Sequence, residues 1–195
     1  GRMMVWGRLV AGSLVLSACQ VPGNVAMQDR SPSPGAHVDD ATRTVATLVL
    51  AADARERGNE GQLRSALLAL TQLGARPEDS DSEQLVDGWR STLAGDLPPL
   101  RGRTLGPAFR SGVLPAGGAI ELEQTFLAGQ SAIIALKTRD GAQVAVKVMD
   151  GDARTVCATS GGTIRCRWTP PYTQRHQIRI RNPRNGRVQY FISFS

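Results

Sequence analysis

Histidine is almost missing from this chain of 195 residues, which holds only His37 and His176. A Ser/His/Asp hydrolase needs three side chains in fixed mutual contact, and neither histidine is accompanied by a nucleophile elbow or a glycine-rich phosphate cradle. No catalytic residue, metal or cofactor is therefore expected. Cysteine occurs three times, and two of the three lie nine residues apart with no histidine at ligand spacing, which argues against a zinc site. Aromatic residues make up 5%, no base-stacking module is visible, and nucleic acid is excluded as a partner. No apolar run approaches the ~20 residues that a membrane-spanning helix needs. No segment recurs as a second copy, so a helical solenoid is excluded as well.

What is present begins with an address. After Gly1 and Arg2, which precede the first Met and are set aside, a short cationic stretch with Arg8 leads into an apolar run from Leu9 to Leu16 and then Ser17-Ala18-Cys19. That order is the layout of a secretory signal, here residues 1–18. The tetrad Leu16-Ser17-Ala18-Cys19 resembles a bacterial lipobox. The resemblance implies cleavage before Cys19 and acylation of that residue, so Cys19 is the expected lipidation site and the membrane a partner through its lipid anchor. One acyl chain holds a protein to a membrane only marginally, which is why several are attached. Gln20 stands where an aspartate would retain a lipoprotein in the inner membrane, so the resemblance implies the outer membrane.

Residues 19–38 carry Pro22, Gly23, Ser31, Pro32, Ser33, Pro34 and Gly35 with few large apolar side chains. Such a segment buries too little surface to offset its ordering entropy and is expected to be a tether, spanning about 25 Å as a coil. From Asp39 the apolar period becomes helical. Ala41, Val45, Leu48 and Ala52 share one face of a first helix, and Leu63, Ala66, Leu67 and Leu70 share one face of a second. Asn59 with Gln62, and Ser80 with Glu83, predict the starts of helices two and three, and Gly74 followed by Pro77 predicts a stop. Three helices over 39–96 are too short to enclose a core alone, so their apolar faces should dock on one another or on the carboxy-terminal domain. Residues 97–107, opening with Leu97-Pro98-Pro99, form the linker.

The rest, 108–195, alternates with period two between glycines in eight short runs. These predict an α+β fold: a short helical segment followed by a jelly-roll-like antiparallel β-sandwich of about eight strands. If Gly161-Gly162 formed a primed hairpin turn, Cys157 would face Cys166 at a Cα separation near ~4.5 Å, within disulfide range. Export makes that bridge durable. A second hairpin is expected around Asn182-Pro183-Arg184-Asn185-Gly186, with Ile178 and Ile180 on its inward face opposite Val188, Tyr190, Ile192 and Phe194. Its outward face would carry an arginine strip: Arg175, Arg179, Arg181 and Arg187.

Charge is divided along the chain. Residues 137–195 hold 11 basic and 3 acidic side chains, whereas 39–96 hold 6 basic and 11 acidic. Opposite halves of one chain can attract each other, or each can suit a different partner. The arginine strip is expected either to meet phosphate groups or an acidic protein surface, since guanidinium forks match paired oxygens, or to be a solvated face that discourages edge aggregation.

The run Gln124–Leu136, QTFLAGQSAIIAL, together with the closing RHQIRIRNPRNGRVQYFISFS, resembles the bacterial pre-peptidase carboxy-terminal domain, a small β-sandwich appended to exported proteins. The resemblance spans 109–195. Together these features predict a non-catalytic envelope lipoprotein whose sandwich serves as an interaction or accessory module for another envelope protein. The alternative is a lipoprotein that binds glycan or anionic lipid, with a hydrolase a remoter third.

Overall fold

The computed structural model describes residues 37–95 and 97–195. The signal segment, Cys19 and most of the tether lie outside the described residues. No helix among the described residues is long and apolar enough to cross a membrane.

Three helices open the described chain: α1 (Asp40–Arg57), α2 (Glu60–Leu73) and α3 (Ser80–Ser91). Each starts on an acidic or amide cap that takes up one of the otherwise unpaired amide N–H groups of the first turn. The Thr42 N–H donates to Asp39 Oδ1 at 2.8 Å, Gln62 N–H to Asn59 Oδ1 at 3.0 Å, and Ser82 N–H to Asp79 Oδ1 at 2.9 Å. The third cap is thus Asp79 and not Ser80: Asp79 has the extended backbone of a cap and its carboxylate accepts from the Ser82 N–H, whereas Ser80 is already the first helical residue. Gly58 and Gly74 end the first two helices in the left-handed conformation that glycine adopts without strain.

A two-residue strand β1 (Arg76–Pro77) precedes α3. Eight strands come after it: β2 (Ala108–Leu114), β3 (Ala119–Phe126), β4 (Ala132–Thr138), β5 (Val144–Met149), β6 (Thr155–Gly161), β7 (Thr163–Trp168), β8 (Gln174–Arg181) and β9 (Val188–Phe194). They form two sheets, one ordered β1-β2-β9-β4-β7 and the other β3-β8-β5-β6. Every pairing is antiparallel except the short β1–β2 contact. The inward rows meet in a core built on Ile134, Leu136, Val144, Val146, Val148, Ile178, Ile180 and Ile192.

Both expected hairpins are instead corners between sheets. β6 pairs with β5 in one sheet and β7 with β4 in the other, so Cys157 and Cys166 do not share a ladder. A primed turn needs a positive φ, which neither Gly161 nor Gly162 adopts. Glycine is required at 162 for a different reason: a Cβ there would stand 2.5 Å from the Gly141 carbonyl oxygen of a neighbouring turn. The disulfide does form, across the two sheets, with the Cα atoms 6.0 Å apart. Closing a loop of nine residues restricts the unfolded chain, and replacing both cysteines with alanine is expected to cost about 2–3 kcal/mol. A shift of the urea midpoint, reproduced in the native protein by reductant, is the measurement.

The second corner, between β8 and β9, is organised by Asn182, which is fully buried. Its amide donates to the carbonyls of Pro115 at 3.0 Å and Gly186 at 2.7 Å, and its Oδ1 accepts from the Arg184 N–H at 3.0 Å. Leu114 lies at the edge of the same cluster, its carbonyl 3.4 Å away.

The helices dock on the outer face of the five-stranded sheet. Leu48, Leu63, Leu70 and Trp89 pack with Phe109, Ala135 and Phe191, which β2, β4 and β9 turn away from the sandwich core. The small side chain of Ala135 lets α1 approach β4 closely. The charge asymmetry of the chain finds a use here. Asp39 meets Arg165 at 2.6 Å, Asp53 meets Arg139 at 2.7 Å, and Glu78 meets Arg110 at 2.9 Å, each pair joining the helical segment to a strand or strand end.

Asp39 serves both as helix cap and as ion-pair partner. Burial pushes its carboxyl up, but hydrogen bonds from Thr42 and the Arg165 guanidinium, with that group's charge, outweigh the burial and leave it below its ordinary value of 3.8. A carboxyl depressed in the folded state contributes stability above the unfolded value, and that contribution is lost as pH falls through the folded one. Asp39→Asn should keep the cap but lack the contribution that the ionised carboxylate makes above pH 3.8, so its deficit relative to the parent closes as pH falls below that value. Asp39→Ala should lose the cap as well, about 1 kcal/mol more. Thermal melts between neutral and acid pH separate the two.

Candidate interaction surface

With one sheet covered by helices, the free face belongs to the sheet β3-β8-β5-β6. Alternation along β8 places His176, Ile178 and Ile180 inward and Arg175, Gln177, Arg179 and Arg181 outward. Strand register then decides what each guanidinium faces. Glu121 of β3 lies opposite Arg179, and Lys147 of β5 lies on its other side. Arg175 reaches diagonally to Glu123, with its Nη1 3.2 Å from Oε2, both groups being largely exposed. Arg181 stands between Ala119 and Ala145.

The outward face is therefore an acidic row on the edge strand β3, an arginine row on β8, one lysine on β5 and an uncharged edge at β6. Three of the four expected strip residues are on this face. Arg187 is not: it precedes β9 in the other sheet and borders a groove of about 480 Å³ with Asp53, Glu56 and Arg139. The β8–β9 connection is a corner, so residues after Asn182 leave the face that carries Arg175–Arg181.

His176 is buried in the core. Its ring stacks edge-on with Phe126 at 5.3 Å and lies 5.2 Å from Trp168. Indole can only donate, so the Trp168 Nε1–H given to His176 Nε2 at 3.2 Å makes that nitrogen the acceptor. In the neutral ring Nδ1 then carries the proton and donates it to the Gln174 carbonyl at 3.2 Å. Both nitrogens are engaged within the protein. Asp140 Oδ1 accepts from Ala142 N–H at 3.0 Å, and Asp150 Oδ1 accepts from the N–H groups of Asp152 and Arg154 at 2.9 Å each, so these carboxylates shape their turns. Among the described residues no group of three His, Cys, Asp or Glu side chains is placed to hold a metal ion.

One feature of the free face had no signal in the local spacing, whereas the covered face did have one. The acidic row on β3 interleaves with the arginines only because β3 pairs β8 across more than fifty residues of chain. The helix-covered face was signalled by Tyr190-Phe191-Ile192, three consecutive apolar residues that mark a strand buried on both sides.

No protein-family model and no curated protein matches the chain. Solved structures similar to the chain include the pre-peptidase C-terminal domain of collagenase from Bacillus anthracis, at 12% identity and a TM-score of 0.40, covering 45% of this chain and 87% of that one. The Yersinia pseudotuberculosis-derived mitogen aligns at 11% identity and a TM-score of 0.39, covering 46% and 85%. Aeromonas hydrophila PliG, a periplasmic lysozyme inhibitor of g-type lysozyme, aligns at 15% identity and a TM-score of 0.36, covering 46% and 84%. The strand pairings determine the architecture: the chain is an α+β protein, a disulfide-bridged antiparallel β-sandwich with a helical layer on one sheet.

Proposed function

We propose that the protein is a non-catalytic envelope lipoprotein, anchored through Cys19 in the bacterial outer membrane, whose sandwich is an interaction or accessory module for another exported protein. The observation that carries this reading is the free face of the β3-β8-β5-β6 sheet, where acidic and basic rows are held in register on a rigid ladder while the opposite sheet is covered. Ordered rows of both signs suit a protein surface of complementary pattern, since charge complementarity fixes register and rejects wrong partners. Glu121 and Glu123 among the arginines weaken the same face for phosphate or sulfate. A disulfide between the sheets agrees with an oxidising compartment, as the lipobox-like tetrad requires.

Mild detergent extraction of membranes should recover the protein with a stoichiometric partner, which the charge reversals Arg181→Glu and Lys147→Glu release without changing the melting temperature. A monomer that carries no partner under mild extraction, or a partner unaffected by both reversals, would overturn the assignment of this face.

A further inference from the structure

The four most exposed large apolar side chains among the described residues lie at one end of the molecule. They are Leu105 at 98% exposure, Tyr172 at 69%, Leu127 at 51% and Val38 at 49%. Each sits outside regular structure: Val38 ahead of α1, Leu105 between α3 and β2, Leu127 between β3 and β4, and Tyr172 between β7 and β8. Their neighbourhood is established by shared grooves and bonds. His37 and Leu105 border one groove of about 630 Å³, and Leu105 and Leu127 border a second, of about 230 Å³, at the mouth of the sandwich. The loop of Leu127 is tied to that of Tyr172 by two hydrogen bonds, Gly129 N–H to the Pro170 carbonyl at 2.8 Å and Ala128 N–H to Thr173 Oγ1 at 2.9 Å.

We infer that this end is a membrane-facing surface, on which Leu105, Leu127, Tyr172 and Val38 rest among lipid headgroups. The argument for lipid as the occupant is where the remaining chain joins the body. His37 opens the described unit at this end, and only 17 residues separate it from Cys19. On the lipid-anchor reading of the proposed function, on which this inference rests, a tether of that length holds the end within about 25 Å of the bilayer on average. The apolar tips are then the first part of the body to meet lipid, at the high effective concentration that tethering confers. A tyrosine beside leucines suits the interface, with an apolar body and a polar tip.

The charges at this end are mixed. Arg43 and Arg103 border the first groove with Asp40, and Asp150 and Asp152 lie in the β5–β6 turn. Contact is thus expected to be chiefly apolar and to need no anionic lipid. Standing on these tips, the sheets run away from the bilayer and leave the charged face open to the side.

The test uses the full chain reconstituted into phosphatidylcholine vesicles, with an environment-sensitive fluorophore on Leu105→Cys or Tyr172→Cys. Leu50→Cys and Leu68→Cys, exposed apolar positions on the helices, serve as controls, and the signal of the labelled parent chain is subtracted. All four side chains contact solvent, so the fold should survive, as a melt will show. The expected result is a blue shift and severalfold stronger quenching by bromines in the lipid at 105 and 172 than at 50 and 68. Vesicles that carry the protein to the top of a flotation gradient with all four sites equally wet would overturn this surface and leave the anchor standing. Protection at 105 and 172 that arises only after envelope proteins are added would overturn it in favour of a protein-docking end. A chain that does not float removes the anchor and this surface together.

Discussion

Phe191→Ala is expected to destabilise the protein by about 3–5 kcal/mol, the range for emptying a fully buried aromatic site. Phe191 is on β9, paired between β2 and β4, and points away from the sandwich core into the helical layer. Its ring meets Trp89 of α3 edge-on, with the centroids 6.2 Å apart. Removing the ring opens a cavity where α1, α3 and the sheet meet, and neither a helix pinned by ion pairs nor a strand hydrogen-bonded on both sides can collapse to fill it. Denaturant unfolding followed by tryptophan emission and by far-ultraviolet dichroism should show one transition moved to lower urea. A loss below about 1 kcal/mol would mean that the helical layer is only loosely applied to the sheet.

Asn182→Asp should cost about 3 kcal/mol or more at neutral pH, because it puts a charged acceptor where a buried donor met carbonyl oxygens. The Asn182 amide group faces the carbonyls of Pro115 and Gly186 with that of Leu114 close by. Desolvation and those oxygens disfavour the charged form of an aspartate there, so its folded pKa is raised. The deficit is therefore fully present above that raised value and shrinks as pH falls through it, where the protonated acid can donate one hydrogen bond. Asn182→Ala should lose less at neutral pH and show no such recovery. A pH series of urea midpoints for the three proteins distinguishes them. Equal behaviour of the aspartate and alanine variants would show that the corner is open to water.

Much of the fold could be read locally. Helix faces, two of the three helix starts, the glycine stop at 74 and eight of the nine strands are dictated by periodicity and capping within a few residues. The pairing of Cys157 with Cys166 was legible too, because only two cysteines fall within 108–195, although its geometry was not. A two-glycine step reads identically as a tight hairpin or as a corner. What separates them is the backbone of Gly141 packed against Gly162, a contact between segments that the chain's local pattern does not bring together. The arginine row on β8 was likewise visible, whereas its acidic neighbours and the departure of Arg187 to the other sheet were not.

The amino-acid sequence by itself determined which segments are helices and strands, which faces are apolar, where chains turn, and that the net basic excess lies from residue 137 onward. Tertiary structure alone decided sheet membership, the covering of one sheet by the helices, the burial of His176 and the gathering of four loose apolar tips at one end. The division has a physical cause. Backbone periodicity, caps and turns depend on neighbours a few residues away. Which apolar face meets which is a competition among distant segments for burial, settled only when the whole core closes.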